Sequence, residues 1–520
     1  MLPVEMIGAG ARRHRVRIAV STEGSHLTFT QVDEISSRLA NVLVGLGVKK
    51  LERIGILVGN ELLTIPFDFA ALKARCVRVP LNARLSLREH ASMITSAKVQ
   101  RVIYSPSLSA RAQELEAELD GVEFLGLGAN DLGHLDLLDA AQSASSAAPA
   151  RGHVASDPVL ALFTSGTTGT LKAALHSEAS YGAIVTNILA NLASPDRDDV
   201  MIHAAPLIHA SGTFVLPFWL RGARAHVQAG FDPGAYLEGC ADQHVTHASM
   251  VPTMVQMLLS SADPHQFDLA LQSIIYGASP MPSATMAAAL EAFGPIFTQY
   301  YGQTEAPLAI SVLSPADHDP ARGLLGSAGS SSVDATIRIV DDAGHEVASG
   351  AIGEVTVEAP FVMKGYLDAP ELNAATFLGP HHLRTRDLGF VDDSGYLHLV
   401  ERASDMIISG GYNVYPREVE EALFAHPAVL EAAAIGVPDP QRGEVVKAFV
   451  VLRPGASATG DELRTHCTAS LARFKVPNEI EFRADLPQSM VGKVLRRVLA
   501  DEDRAARAAS ETTGTAGRRP

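Results

Sequence analysis

The first half of the sequence alternates between short apolar runs and helix-like segments. Arg53–Gly59 and Gln100–Ser105 have the length and apolar character of buried strands, and Thr64–Arg75 between them is rich in Ala, Leu and Phe. Alternation of this kind is typical of a largely parallel sheet, because a helix carries the chain back across the sheet between successive strands. It therefore predicts an α/β fold. Hydrophobic residues make up 47% of the chain, which is enough for a large core.

The pattern changes toward the C-terminus. Gly353–Glu358 and Tyr396–Val400 indicate antiparallel strands separated by Gly and Asp turns. Beyond them, Pro416 is well placed to begin a helix, and Glu431–Val437 and Lys447–Leu452 read as further strands. We therefore expect the last part of the chain to form a small α/β domain of its own.

Charge and cysteine content exclude several classes of protein. The 42 basic against 58 acidic residues give a net charge of −16, which argues against nucleic acid as a partner. The three cysteines lie far apart and form no CxxC pattern, so we expect no disulfide framework, and a reducing cytoplasm fits. No apolar run is long enough for a membrane span or a signal peptide. These features predict a cytoplasmic protein without integral membrane association.

A candidate phosphate-binding loop follows the apolar run that ends at Phe163. Its sequence, FTSGTTGTLK, combines glycines that let backbone N–H groups turn inward with hydroxyl donors and a lysine. The spacing differs from a Walker A loop, and a Ser/Thr/Gly-rich surface loop is the alternative. The residues predicted to cradle phosphate are Thr164, Ser165, Gly166, Thr167, Thr168, Gly169 and Lys172.

This segment resembles the signature loop of the adenylate-forming superfamily, which includes acyl- and aryl-CoA synthetases, luciferases and peptide-synthetase adenylation domains. Four more motifs follow in that superfamily's order, QYYGQTE, LRTRDLG, ERASD and LPQSMVGKVLR. The resemblance implies a large N-terminal multi-subdomain α/β domain, with sheets packed with helices and a small β-barrel-like part, and a small mobile C-terminal α+β domain. The expected boundaries are 1–401, a hinge at 402–405, 406–502, and a disordered tail at 503–520.

The resemblance also implies roles for individual residues. Tyr301 would pack on adenine, Thr304 would touch the α-phosphate and Glu305 would hold Mg²⁺. Asp387 would bind the ribose hydroxyls, and Lys493 would be the catalytic cation. Thr164 would be a second Mg²⁺ ligand, and Lys172 a second cation. The other residues implied around ATP and coenzyme A are Gly277, Ala278, Ser279, Tyr300, Gly302, Gln303, Arg402, Ser409, Gly410, Gly411 and Tyr412.

The sequence departs from the superfamily pattern at several positions. Leu171 and Ala173 stand where Pro and Gly usually flank the lysine. Arg386 replaces a glycine, which adds a Cβ where the superfamily has none. Glu401 also replaces a glycine, and Ser404 stands at the hinge pivot. A serine there can still take up a backbone rotation.

The implied reaction activates a carboxylic acid with ATP as its adenylate, releases pyrophosphate, and passes the acyl group to coenzyme A. The acid pocket is expected from four segments that contain no Lys, Arg or Asp, which predicts a neutral monocarboxylic acid, aliphatic or aromatic. His209 fits either a gate near the carboxylate or an ordinary core histidine. The four segments are His203–Phe214, Met250–Met254, Gly277–Pro280 and Ala306–Ile310.

Two other functions stay open on the sequence. One is a stand-alone adenylating enzyme that loads a carrier protein, and the other is a non-catalytic acyl or nucleotide binder that kept the fold. Lys493 argues against the binder. The expected partners are thus a small carboxylic acid, ATP and coenzyme A, and a homodimer is compatible with them.

Overall fold

The structure, a computed structural model, describes residues 1–165, 171–261, 263–402, 405–409, 412–439, 442–488 and 494–515. The α-helices in chain order are α1 (Pro3–His14), α2 (Phe29–Gly45), α3 (Thr64–Lys73), α4 (Leu87–Ser96), α5 (Ser109–Glu118), α6 (Leu137–Gln142), α7 (Glu178–Asn191), α8 (Ala210–Thr213), α9 (Val215–Arg221), α10 (Pro233–Asp242), α11 (Pro252–Ser261), α12 (Ser283–Phe293), α13 (Pro370–Thr376), α14 (Pro416–Phe424), α15 (Gly460–Cys467) and α16 (Arg496–Thr515).

The strands in chain order are β1 (Ile18–Thr22), β2 (Ser25–Thr28), β3 (Arg53–Leu57), β4 (Val77–Pro80), β5 (Arg101–Tyr104), β6 (Glu123–Gly126), β7 (Pro158–Ser165), β8 (Leu171–Ser177), β9 (Val200–His203), β10 (Arg224–Val227), β11 (His247–Met250), β12 (Ser273–Tyr276), β13 (Phe297–Gln303), β14 (Ala306–Leu313), β15 (Gly329–Ser331), β16 (Thr336–Val340), β17 (Gly353–Glu358), β18 (Gly365–Tyr366), β19 (Phe377–Gly379), β20 (His382–Val391), β21 (Tyr396–Arg402), β22 (Ile407–Ser409), β23 (Tyr412–Val414), β24 (Val429–Asp439), β25 (Gly443–Leu452) and β26 (Glu479–Phe482).

The α/β prediction is confirmed. One sheet runs in the order β18-β8-β7-β4-β3-β5-β6, and its strands from β7 to β6 pair in parallel. A second sheet is parallel from β1 through β10, β9, β11 and β12 to β13. Its other end is antiparallel and continues from β13 in the order β14-β15-β21-β20-β17-β16, with β19 paired to β20.

Helix α3 is held in the interior between the sheet and two other helices. Every residue of α3 except Asp68 is buried. The ring of Trp219 on α9 contacts Phe29 of α2 and Phe69 of α3, with centroids 4.3 and 5.0 Å apart. Packed aromatic pairs of this size contribute strongly to a core. The position of α3, and with it that of Asp68, is therefore fixed by packing on several sides.

The C-terminal unit is a small α+β arrangement, as expected. Strands β23, β22, β25 and β24 form a sheet to which β26 adds in parallel, and α14, α15 and α16 accompany it. The predicted strands and the helix that begins at Pro416 are present. Along the described residues, no helix combines the length and hydropathy that crossing a bilayer requires.

Residues 503–515, which the sequence assigns to a disordered tail, continue α16 in the structure. The first of them is anchored, because the buried Asp503 accepts a 2.7 Å hydrogen bond from Lys447. Arg507 donates to Asp503 and to Glu479 of β26, each at 2.6 Å. These ion pairs hold a helix that is poor in large apolar side chains, and composition alone did not reveal them.

Several residues singled out in the sequence lie outside the described residues. They are Gly166, Thr167, Thr168 and Gly169 of the loop, the hinge residue Ser404, Gly410, Gly411 and Lys493. The segments on either side of the loop are described, as are those on either side of Lys493. Gln488 and Val494 form an antiparallel bridge, and Leu495 donates its N–H to the carbonyl of Pro487 at 2.8 Å.

Candidate active site

Two adjoining cavities form the candidate site. The second is lined from both large sheets, and the first lies between the second of these sheets and the C-terminal unit, which contributes Arg417, Glu420 and Arg496 to its lining. The first has a volume of about 240 Å³ and the second of about 720 Å³. They share part of their lining, so a ligand can extend from one into the other. The shared residues are Ala278, Tyr300, Gly302 and Gln303.

Strands β7 and β8 frame the phosphate loop from both sides. They pair antiparallel, and Thr164 lies directly opposite Lys172, one pair before the end of the ladder. Side chains of directly paired residues share one face of a sheet, and here both line the second cavity. The Lys172 ammonium lies 5.9 Å from the ring centroid of Tyr366 on the neighbouring β18. A hydroxyl and a cation thus stand together where the loop begins and ends.

Glu305 sits in the tight turn between β13 and β14. The Tyr366 hydroxyl donates to Oε1 of Glu305 at 2.5 Å, and the Glu305 carbonyl accepts from the N–H of Met363 at 2.8 Å. Next to it, the Thr304 carbonyl accepts from Nε2 of the buried His176 at 2.8 Å. Burial lowers the pKa of His176 to about 4, so its imidazole is neutral near pH 7. The turn is held at three points.

The donor set around Glu305 can be tested against Mg²⁺. Within the described ranges, no three His, Cys, Asp or Glu side chains cluster as a metal site. Magnesium commonly binds one or two carboxylates and completes its octahedron with water and phosphate oxygens. Glu305 has a carboxylate oxygen beyond the one bonded to Tyr366, and Thr164 lines the same cavity. These residues fit a nucleotide-borne Mg²⁺.

Three polar side chains meet in the first cavity. Asp387 is buried on β20, and its Oδ2 accepts from the Tyr301 hydroxyl and from Nε2 of Gln303, both at 2.5 Å. Gln303 also donates to the Thr385 carbonyl at 2.8 Å. Arg402 on β21 is the register partner of Asp387. LRTRDLG, QYYGQTE and the start of ERASD, which are distant in sequence, therefore converge.

The backbone closes tightly around this part of the site. A Cβ on Gly302 would lie 2.0 Å from the Leu308 carbonyl oxygen, and one on Gly277 would lie 2.5 Å from that of Tyr300. Ala278 and Leu308 themselves have φ values of 70° and 63°. Non-glycine residues in this region carry strain, which clusters at functional sites. The wall is therefore shaped by backbone, which glycines allow to approach closely.

Arg386 keeps a glycine-like backbone although it carries a side chain. Its φ is 64°. Its N–H donates to Glu354 Oε1 at 3.2 Å, and its guanidinium donates to the Ala375 carbonyl at 2.6 Å. The added Cβ therefore leaves the turn before Asp387 in the left-handed conformation, at a cost of roughly 1–2 kcal/mol.

Part of the predicted acid pocket lines the second cavity. Its wall includes Leu207–Ala210, Gly212 and Thr213 together with Pro307 and Leu308. From the predicted segment Met250–Met254, Pro252 and Thr253 line the first cavity instead. His209 lies just before α8, and burial lowers its pKa to about 4. Its Nε2 is buried without a hydrogen-bond partner in the part of the chain the structure describes, so a neutral imidazole faces the cavity.

Ser409 and Tyr412 lie on β22 and β23 of the C-terminal unit. Ser409 is buried, whereas Tyr412 is 62% exposed and stacks on Phe474 with centroids 4.8 Å apart. Neither of these two described residues belongs to the lining of the cavities. The structure thus does not bring them to the residues expected around ATP.

Sequence reasoning missed four side chains that line or support the site. Tyr366 and His176 hold the Glu305 turn, and Asp68 and Arg78 form an ion pair in the wall of the second cavity. Tyr366 belongs to no motif that we recognised. A charged residue within an otherwise apolar strand, VRVP, was the available signal for Arg78.

Comparison with known proteins gives a consistent result. The AMP-binding enzyme family matches residues 8–367, and the AMP-binding enzyme C-terminal domain matches residues 418–493. A feruloyl-CoA synthase of Amycolatopsis sp. is 36% identical over 483 residues, which are 92% of this chain and 94% of that protein. The medium/long-chain-fatty-acid–CoA ligase FadD8 of Mycobacterium tuberculosis is 31% identical, over 94% of this chain and 87% of its own.

A solved structure agrees in fold. The anthranilate CoA ligase AuaEII in complex with anthranoyl-AMP superimposes with a TM-score of 0.90 and 27% identity, over 98% of each chain.

Proposed function

The chain belongs to the AMP-binding enzyme family, and on that premise we propose that it is an AMP-forming carboxylic acid:coenzyme A ligase. The observation that carries the proposal is the pair of adjoining cavities. Asp387, Tyr301 and Gln303 meet in one, and Thr164, Lys172 and Glu305 surround one end of the other. The remainder of the second cavity is mostly apolar, as an acyl pocket should be.

In the first half-reaction, a carboxylate oxygen of the acid attacks the α-phosphorus of ATP. The bond to the bridging oxygen breaks, and pyrophosphate leaves with its electron pair. Lys172, together with Lys493 of the C-terminal domain, would offset the negative charge that develops on the phosphate oxygens. Asp387 would hold the ribose, and Thr304 would face the α-phosphate. Glu305 and Thr164 would hold Mg²⁺, which supplies further charge stabilisation to the phosphates when bound.

In the second half-reaction, the sulfur of coenzyme A attacks the acyl carbon, and AMP leaves as the carbon–oxygen bond breaks. We propose that residues 402–405 act as a hinge between an N-terminal domain, 1–401, and a C-terminal domain, 406–502. Rotation about it would exchange Lys493 for the surface of Ser409–Tyr412, which would contact pantetheine. Arg402 would then sit beside the ribose in both states.

The acid itself is proposed to be a monocarboxylic acid without a second charge. The relatives act on acids as different as ferulic acid and medium- or long-chain fatty acids, according to their names. The apolar lining from Leu207 to Thr213 supports an aromatic or aliphatic body. The neutral His209 would stand near the carboxylate.

The test is an acid panel scored for pyrophosphate and for nucleotide product. We expect AMP and pyrophosphate to appear with ATP, Mg²⁺ and a suitable acid, and acyl-CoA to accumulate when coenzyme A is added. Formation of ADP and phosphate would contradict the adenylation mechanism. Acyl transfer to a carrier protein but not to coenzyme A would favour the carrier-loading alternative.

A further inference from the structure

A charged pair stands in the wall of the second cavity, away from the phosphate loop. Asp68 of α3 and Arg78 of β4 both line that cavity. NH1 of Arg78 donates to both carboxylate oxygens of Asp68, at 2.7 and 2.6 Å. The Arg78 side chain is 3% exposed, whereas that of Asp68 is 38% exposed although every other residue of α3 is buried. The accessible surface of Asp68 therefore faces the cavity.

The strand register shows how far this pair lies from the nucleotide. Arg78 pairs with Leu160 in the parallel ladder of β4 and β7. Thr164 follows Leu160 by four residues on β7, which at about 3.3 Å per residue is roughly 13 Å along the strand. Leu160, Leu162 and other apolar side chains line the interval. The cavity thus has a phosphate end, an apolar middle and a carboxylate at its far end.

The ion pair with Arg78 determines which substrate groups can form a hydrogen bond with Asp68. Burial acts to lower the pKa of Arg78, but the charge of Asp68 raises it above its ordinary value, so the guanidinium stays protonated. Both carboxylate oxygens of Asp68 accept from this cation, and a carboxylate has lone pairs beyond the two that Arg78 uses. A substrate hydroxyl would satisfy one of them, and a second substrate carboxylate would be repelled.

We propose that Asp68, positioned by Arg78, recognises a hydroxyl at the far end of the acid. The preferred substrates are then carboxylic acids with an apolar body on the order of 10 Å long, aromatic or aliphatic, that ends in a hydroxyl. This inference rests on the proposed function, because it concerns the acid that the same cavity would activate.

The first test needs only the unmodified protein. We compare kcat/KM for pyrophosphate release between acids matched in length, 4-hydroxycinnamic against cinnamic acid and 8-hydroxyoctanoic against octanoic acid. A hydrogen bond to a charged acceptor predicts a preference of about tenfold or more for the hydroxylated member. Octanedioic acid should be the poorest of its series. Equal values within both pairs would overturn the proposal.

The second test uses Asp68→Asn with a closely matched control. Asp33 forms a similar pair with the buried Lys73 of α3, with side-chain exposures of 37% and 3%, and it does not line the cavity. Asp68→Asn should reduce the preference for the hydroxylated acids and improve the use of octanedioic acid, and Asp33→Asn should leave both unchanged. An undiminished preference in Asp68→Asn would overturn the role of Asp68. If that variant does not fold, the preferences of the unmodified protein decide.

Binding measurements distinguish a failure of this inference from a failure of the proposed function. Sulfamoyl-adenosine analogues of the 4-hydroxycinnamoyl and cinnamoyl adenylates can be titrated without turnover. A tighter complex with the hydroxylated analogue in a protein that releases no pyrophosphate would contradict the proposed function and support the recognition by Asp68. Pyrophosphate release together with equal affinity for the two analogues would support the proposed function and contradict the recognition by Asp68.

Discussion

The two ends of the second cavity are built differently. The end proposed to bind the nucleotide, here called the nucleotide end, is made by turns and strand ends, such as the paired β7 and β8 and the Thr304–Glu305 turn, and by backbone in left-handed conformations. The far end, around Asp68 and Arg78, is here called the acid end. It is made by side chains from α3, β4, β7 and α7, which pack together from distant parts of the sequence. Backbone fixes the position of a common ligand group, whereas individual side chains can change with the acid. Substitutions at the two ends should therefore fail in different ways.

The largest effect is expected for Lys493→Ala. If Lys493 offsets charge on the phosphorus, its loss should slow adenylate formation by a factor on the order of 10²–10³, with little effect on thioester formation from a supplied acyl-adenylate. Single-turnover measurement of each half-reaction decides this, with the exposed Lys98→Ala as the control. Equal losses in both halves would mean that Lys493 has a structural role, or that the hinge at Ser404 does not rotate.

Asp387→Ala should come next. Removing a charged acceptor from the first cavity should weaken ATP binding by ~1.5–3 kcal/mol, measured by calorimetry, because the ribose hydroxyls would lose their partner. The preference among acids should be unchanged, since Asp387 lines the first cavity and not the acid end of the second. Unaltered ATP affinity would show that Arg386 has displaced Asp387 from the role implied by the superfamily motif.

Tyr366→Phe should have a smaller effect at the same end. It removes the hydroxyl that donates to Glu305 and keeps the ring beside Lys172. Loss of one hydrogen bond of about 1 kcal/mol predicts a roughly fivefold drop in the adenylation rate and a higher Mg²⁺ requirement. Magnesium titrations of initial rate provide the measurement. A change in acid preference instead would break the division between the two ends.

The smallest effect concerns stability alone. Arg386 can be replaced by Gly, which tolerates its φ of 64°, or by Ala, which keeps the strain of a Cβ. Both variants lose the bond to Ala375, so their difference isolates the backbone. Arg386→Gly should be more stable than Arg386→Ala by about 1 kcal/mol in denaturant unfolding. The opposite order would show that left-handed strain is absent at this turn.

The two ends of the second cavity also differ in how far the sequence could predict them. The α/β alternation, the strands near Gly353 and Tyr396 and the helix at Pro416 follow from local periodicity and turn residues. The residues of the nucleotide end could be named because they lie in short contiguous motifs that resemble those of the superfamily. The meeting of Asp387 with Gln303 and Tyr301 was expected from resemblance alone, because no local rule brings β13 beside β20.

The acid end could not be predicted because its contacts are long-range. Asp68 and Arg78 are ten residues apart, but their meeting at the cavity wall depends on how α3 docks against β4 and β7. The order of residues 503–515 was missed for a similar reason. Its polar composition favours disorder in isolation, whereas ion pairs of Asp503 with Lys447 and of Arg507 with Glu479 join it to two strands.

The anchoring of α16 has a practical consequence for anyone who shortens this protein. A chain ended at residue 502 would lose Asp503 and Arg507, and the ammonium of Lys447 would lose its buried partner while keeping Glu479 and Glu481 on β26. The damage would also reach the bridge between Gln488 and Val494, because α16 begins two residues after Val494. Trimming an apparently dispensable end would then lower activity without touching a residue of either cavity.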